Sequence, residues 1–155
     1  MAFDQPSLKG RALRLLSTRE HSRAELERKL QRFEEEPGSL AAALDDLQAK
    51  GFISEQRVVE SVLNRRAAKL GSGRIRQELQ AKGLDPERVA EAVAALRNTE
   101  LARAQSVWHK KFGSAPLDAT EAMRQARFLA ARGFGGEVIR RVLKGGAVEL
   151  PDDVS

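Results

Sequence analysis

The chain has 155 residues, 41% hydrophobic and 32% charged, with 27 Lys plus Arg against 22 Asp plus Glu, and no cysteine or tyrosine. That length suffices for one domain burying roughly 70% of its unfolded surface; no apolar run nears the ~18 residues of a membrane span, and without cysteine there is no disulfide framework and no thiolate zinc site. MAFDQPSLKG lacks the basic-then-apolar layout of a secretion signal, so a cytoplasmic protein with no membrane partner is expected.

Helical periodicity runs through nearly every segment, and strand-type alternation is not sustained anywhere. Leu8, Ala12, Leu15 and Leu16 mark a first stripe. SRAE, a capping box of Ser22 with Glu25, opens a second helix bearing Leu26, Leu30 and Phe33. EEEPGS breaks the chain before a third helix with Leu40, Ala43, Leu44 and Leu47, capped at Gly51. The fourth helix, expected to be the longest, starts near Ser54 and carries its stripe from Val58 to Leu70, where GSG ends it. The fifth holds Ile75 and Leu79 and stops at Gly83. Asp85 as N-cap with Pro86 behind it starts the sixth, on Val89, Val93 and Leu96. A seventh begins near Thr99 with Leu101, Ala104, Trp108 and Phe112; an eighth follows GSAPLD, capped by Asp118 or Thr120, with Met123, Ala126, Leu129 and Ala130 inside. The ninth bears Val138, Ile139, Val142 and Leu143, is closed by KGG, and leaves a short acidic tail.

LQAKGF, LQAKGL and LAARGF, beginning at Leu47, Leu79 and Leu129, end three of these helices alike. Their glycines are 32 and 50 residues apart, which is too uneven for a two-helix solenoid. Triplets fit better, with the first copy ending a third helix and the other two ending middle helices. The expected fold is therefore all-α, three tandem three-helix repeats in an elongated, curved array. The units span residues 1–52, 53–98 and 99–146, followed by a flexible acidic tail at 147–155. A single irregular helical domain is the alternative.

Catalysis finds little support. His21 and His109 are far apart in sequence and read as surface or cap residues. The Glu34 to Glu36 run and the Asp45–Asp46 pair read as solvated faces, because consecutive acids on a helix diverge. GSG and KGG lack the Gly-Lys-Ser/Thr of a phosphate loop. No catalytic residue, metal ligand or cofactor is expected. Binding has more to rest on. Arg65, Arg66, Lys69, Arg74 and Arg76 form one acid-poor cluster, and Arg124, Arg127, Arg132, Arg140 and Arg141 form another. Both suit phosphates or an acidic protein surface. Few base-edge side chains and 5% aromatics argue against sequence-specific reading or base stacking.

GFISEQRVVESVLNRRAAKLGSGRIRQELQAKGLD, with SRAELERKL before it and KKFG and RQARFLAARGFGGEVIRRVL after it, resembles the RecX regulatory proteins over about Arg11 to Lys144. The chain departs from that pattern with Val58 and Val59 where an aromatic is usual, and with Phe33 directly after Arg32 where the family has Lys-Gly-Phe. The resemblance implies three tandem three-helix repeats and a non-enzymatic regulator. Such a protein lies in the groove of a RecA–DNA filament and hinders its extension, ATP hydrolysis, strand exchange and role in repressor cleavage. A monomer is expected, with the RecA nucleoprotein filament as partner and single- or double-stranded DNA as a direct contact. The other reading is a general nucleic-acid-binding module that acts without RecA.

Overall fold

A computed structural model describes residues 5–144; the expected acidic tail and the glycines of KGG lie outside the described residues. All regular structure in that range is helical. The first unit holds α1 (Leu8–Thr18), α2 (Arg23–Leu30), a 3-10 turn (Gln31–Phe33) and α3 (Ser39–Ala49). After it come α4 (Glu55–Arg66), α5 (Ser72–Ala81), α6 (Pro86–Lys111), α7 (Ala119–Ala131) and α8 (Gly136–Leu143). None of these helices is long and apolar enough to cross a membrane.

The caps follow the sequence closely. Ser7, Ser22, Ser54 and Asp118 each accept an amide of the first turn behind them, and Ser22 with Glu25 closes the expected capping box. Each such cap is worth ~1 kcal/mol. The acids near the front also have structural duties. Glu34 takes the Leu40 amide at the start of α3 (2.8 Å), Asp46 bridges Lys9 and Lys50, and Asp45 pairs with Arg23.

Three apolar cores form in chain order. Ala12, Leu26, Leu30, Leu40, Leu44, Leu47 and Ile53 make the first, between α1, α2 and α3. The second is built on Val58, Val62, Ile75, Leu79, Val89 and Val93, and the third on Ala104, Ala126, Leu129, Phe134, Ile139 and Leu143. Val58 and Val59 are both buried in the second core. Burial of each large aliphatic side chain contributes ~1.5–3 kcal/mol.

Two helices differ from expectation. α4 ends at Arg66, and Ala67 to Leu70 form turns. The expected sixth and seventh helices are one continuous α6 of 26 residues. Leu96 to Glu100 contains no glycine or proline to stop a helix, and Thr99 Oγ1 bonds back to the Leu96 carbonyl rather than capping a new start. α6 is thus shared, contributing Val89 and Val93 to the second core and Ala104 to the third.

The middle of α6 also reads the α4–α5 turn. Glu100 is buried, and its Oε1 accepts the Ser72 amide (3.0 Å) and hydroxyl (3.2 Å) at the start of α5. α5 has no side-chain cap of its own, so this carboxylate serves as one. Arg103, one turn on, donates to the carbonyls of Ala67 (2.8 Å) and Leu70 (2.7 Å) while facing Glu100 at 3.3 Å. Removing one member of a buried pair strands the other charge. Glu100→Ala is therefore expected to lower unfolding free energy by about 3–5 kcal/mol in denaturant titration. Glu100→Gln, which keeps an acceptor for Ser72, should cost about 1–3 kcal/mol.

Candidate partner-binding surface and the joints that set it

The repeated helix ending answers to two different jobs. Gly51, Gly83 and Gly133 all have positive φ (83°, 69° and 95°), the left-handed cap that favours glycine. Gly51 is only a cap: nothing lies near it, and Phe52 behind it is 47% exposed. Gly83 and Gly133 are also contact points between units, and Leu84 and Phe134 behind them are buried.

At the first joint the C-terminal turn of α5 rests on the first turn of α2. Ser22 Oγ donates to the Lys82 carbonyl (2.5 Å), and a Cβ on Gly83 would stand 2.7 Å from that of Ala24. Glu25 sits beneath, bonded to Arg19 (2.8 Å), the Ser22 amide (3.0 Å) and Lys82 (3.4 Å). Burial would raise the Glu25 carboxyl, but the Arg19 hydrogen bond, the Ser22 amide and the Lys82 charge outweigh it and hold it at about 2. His21, read as a surface or cap residue, stands beside the Ser22 cap but is buried, with Nδ1 against the Arg19 carbonyl (3.0 Å) and Nε2 against Lys29 Nζ (3.2 Å). Its burial, with the Arg19 and Lys29 cations, keeps its pKa below 6.5 despite the carbonyl.

At the second joint the C-terminal turn of α7 rests on the start of α5. The Gly71 amide donates to the Arg132 carbonyl (2.7 Å), Gly73 to Gly133 (3.1 Å), and Arg74 Nη1 to Ala131 (2.8 Å). Gly71 has an ordinary φ of −80°, so space demands glycine there: a Cβ would lie on the Gly133 carbonyl and the Phe134 amide.

This joint carries Lys69, just before α5, to Arg132, just after α7. Together with Lys110 and Lys111 at the end of α6 they line a cleft of about 260 Å³, floored by Val107, Ala68 and Phe128. Phe128 packs edge-on against Phe112 (5.3 Å, 85°). The two rings gather cations: Arg132 and Lys111 over Phe128 at 4.8 and 5.4 Å, and Arg124 over Phe112 at 5.8 Å. Trp108 Nε1 donates to Gln125 (2.8 Å), tying α6 to α7 behind them.

The other expected cations have varied placements. Arg66 and Arg74 border a second cleft with Gln77, but Arg66 is neutralised there by Glu78 at 3.5 Å, and Arg74 is engaged by the α7 carbonyl. Arg124 also pairs with Glu121 at 3.3 Å. Arg65, Arg76, Arg127 and Arg141 are exposed and Arg140 is half-buried; none of these lines the Lys69 cleft. Lys110 and Lys111 are additions to the expected set. Their signal is the HKK run ahead of Phe112, basic residues in the last turn of a helix. The cleft offers concentrated positive charge on an apolar floor, suited to an anionic surface.

Models of the first, second and third three-helix domains of RecX match residues 9–47, 54–93 and 98–143. The Regulatory protein RecX of Leptothrix cholodnii is 54% identical over 146 residues, covering 93% of each chain. That of Herminiimonas arsenicoxydans is 49% identical over 144 residues, covering 93% of this chain and 95% of its own. A crystal structure of RecX from Lactobacillus salivarius superposes with TM-score 0.73 at 18% identity, covering 89% of this chain and 93% of that one. A second crystal structure, of regulatory protein RecX, gives 0.74, also at 18% identity, over 88% of this chain and 71% of the other.

Two measurements test the joints. Gly71→Ala should lower the denaturation midpoint by an amount worth about 1–3 kcal/mol more than Gly135→Ala, because both are helix N-caps but Gly135 has open space around it. Because the Glu25 pKa is lowered on folding, its contribution is present above about 4.5 and is lost as pH falls towards about 2. The stability gap between the parent and Glu25→Gln, about 3 kcal/mol near neutrality, should therefore close across that window.

Proposed function

The chain belongs to the RecX family, and from that premise we propose that it is a cytoplasmic, monomeric regulator that binds the RecA–DNA filament and hinders its extension, ATP hydrolysis and strand exchange. It does so as a binding wedge with no chemical step of its own, its lobes at residues 1–52, 53–98 and 99–146. The observation that carries this reading is the convergence of Lys69, Lys110, Lys111 and Arg132 on Phe128 across the second joint. Lys69 comes from one unit and the others from the next, so an anionic partner filling the cleft contacts both at once. A filament offers such a partner repeatedly, through acidic protomer surfaces and the phosphates of its enclosed strand.

The test is the DNA-dependent ATPase of the cognate RecA. Sub-stoichiometric protein should slow hydrolysis. Lys69→Glu, Lys110→Glu and Lys111→Glu together, all exposed, should raise the concentration needed about tenfold, ~1.4 kcal/mol of binding, with the melting curve unchanged. Absence of inhibition by the parent protein at any ratio would falsify the proposal. Tight binding to naked DNA without any effect on RecA would favour a general nucleic-acid-binding module.

A further inference from the structure

The first unit holds another group of cations that neither sequence cluster includes. Arg11 and Arg14 stand one turn apart on α1, Arg28 and Lys29 on α2, and Arg32 on the 3-10 turn. All five line one cleft of about 580 Å³, whose remaining lining is Leu15, Leu30 and Phe33, with no carboxylate among them. Arg11 and Arg32 lie over the Phe33 ring, their guanidinium carbons 3.7 and 4.7 Å from its centre. Both also border a neighbouring cleft containing Glu35 and Glu36. The acid-free side is therefore the one that Arg14, Arg28 and Lys29 share with the stack.

The core of this unit, built on Ala12, Leu26, Leu30 and Leu44, does not need five cations brought together, and like charges so placed repel one another. Some have internal duties. Arg28 donates to the Ala81 carbonyl (3.2 Å) and Lys29 meets His21. Arg14 and Arg32 make no side-chain hydrogen bond or ion pair among the described residues; Arg32 has only its ring contact. Four of the five are arginines, whose planar forks match phosphate oxygens in pairs. Guanidinium stacked on an aromatic ring also provides a flat face of the kind on which bases lie. A concave cleft of this size admits one strand more readily than the convex edge of a duplex.

We propose that the cleft formed by Arg11, Arg14, Arg28, Lys29 and Arg32 around Phe33 binds the backbone of a single-stranded nucleic acid. The site is separate from the Lys69 cleft, and its test needs no RecA, so either proposal can fail without the other. The probe is a labelled oligothymidylate titrated with the full chain by fluorescence anisotropy across a salt series. Arg14→Glu with Arg32→Glu should raise Kd about tenfold. It should also make the slope of log K against log salt shallower by about 1.4, the loss of two single-strand phosphate contacts at ~0.7 each. If that variant melts early, Arg14→Gln, whose side chain has no internal partner, should reduce the slope by about 0.7. A parent-like Kd and slope in a variant that melts normally overturns the proposal. So does equal competition by a polyglutamate peptide, which would assign the cleft to acidic protein.

Discussion

Two helix-end contacts govern how the three units stand to one another: the Lys82 carbonyl on Ser22, and the carbonyls of Arg132 and Gly133 on the amides of Gly71 and Gly73. A helix leaves its last carbonyls and first amides without partners. At the second joint the carbonyls after α7 take up amides at the start of α5, and at the first the Ser22 hydroxyl takes up the Lys82 carbonyl. The approach is close enough that side chains are excluded at Gly71 and Gly83. Each joint also has a buried carboxylate at its N-terminal side, held by an arginine: Glu25 with Arg19, and Glu100 with Arg103. The first comes from the capped helix itself and the second from α6, so the same electrostatic arrangement is reached by two routes.

The proposed binding surface depends on the second joint. Lys69 and Arg132 flank the turns that meet there, and α6 passes both cores before delivering Lys110 and Lys111 to the same place. A continuous α6 is stiffer than two helices joined by a turn, so relative movement of the last two units is opposed by the helix as well as by the joint. For a proposed wedge between repeating protomers, that stiffness turns local charge into a fixed spacing of contacts.

Much of the fold was legible because caps and apolar periodicity are local signals. Ser22 with Glu25, Asp118 and the glycines at 51, 83 and 133 behave as their sequence contexts require. The expected helix start near Thr99 has no breaker residue behind it, and the sixth and seventh helices are one. His21 reads as a surface or cap residue because nothing local signals its burial between Arg19 and Lys29. Charge counting along the chain picks out Lys69 and Arg132, which line one cleft, but does not show that Arg66 pairs with Glu78 or that Arg74 donates to the Ala131 carbonyl, because those partners are contributed by later segments. It also passed over Arg11, Arg14, Arg28 and Arg32, which are interleaved in sequence with Glu20, Glu25 and Glu27 and converge only when α1 meets α2.

The central functional claim is that this positively charged, jointed strip recognises a RecA filament rather than DNA alone. Co-sedimentation of the chain with ATP-loaded RecA filaments, against naked single-stranded DNA at equal phosphate concentration and rising salt, tests it most directly. The account predicts that the protein still pellets with filaments at salt concentrations that release it from the bare strand. Release from both at the same salt concentration would contradict it.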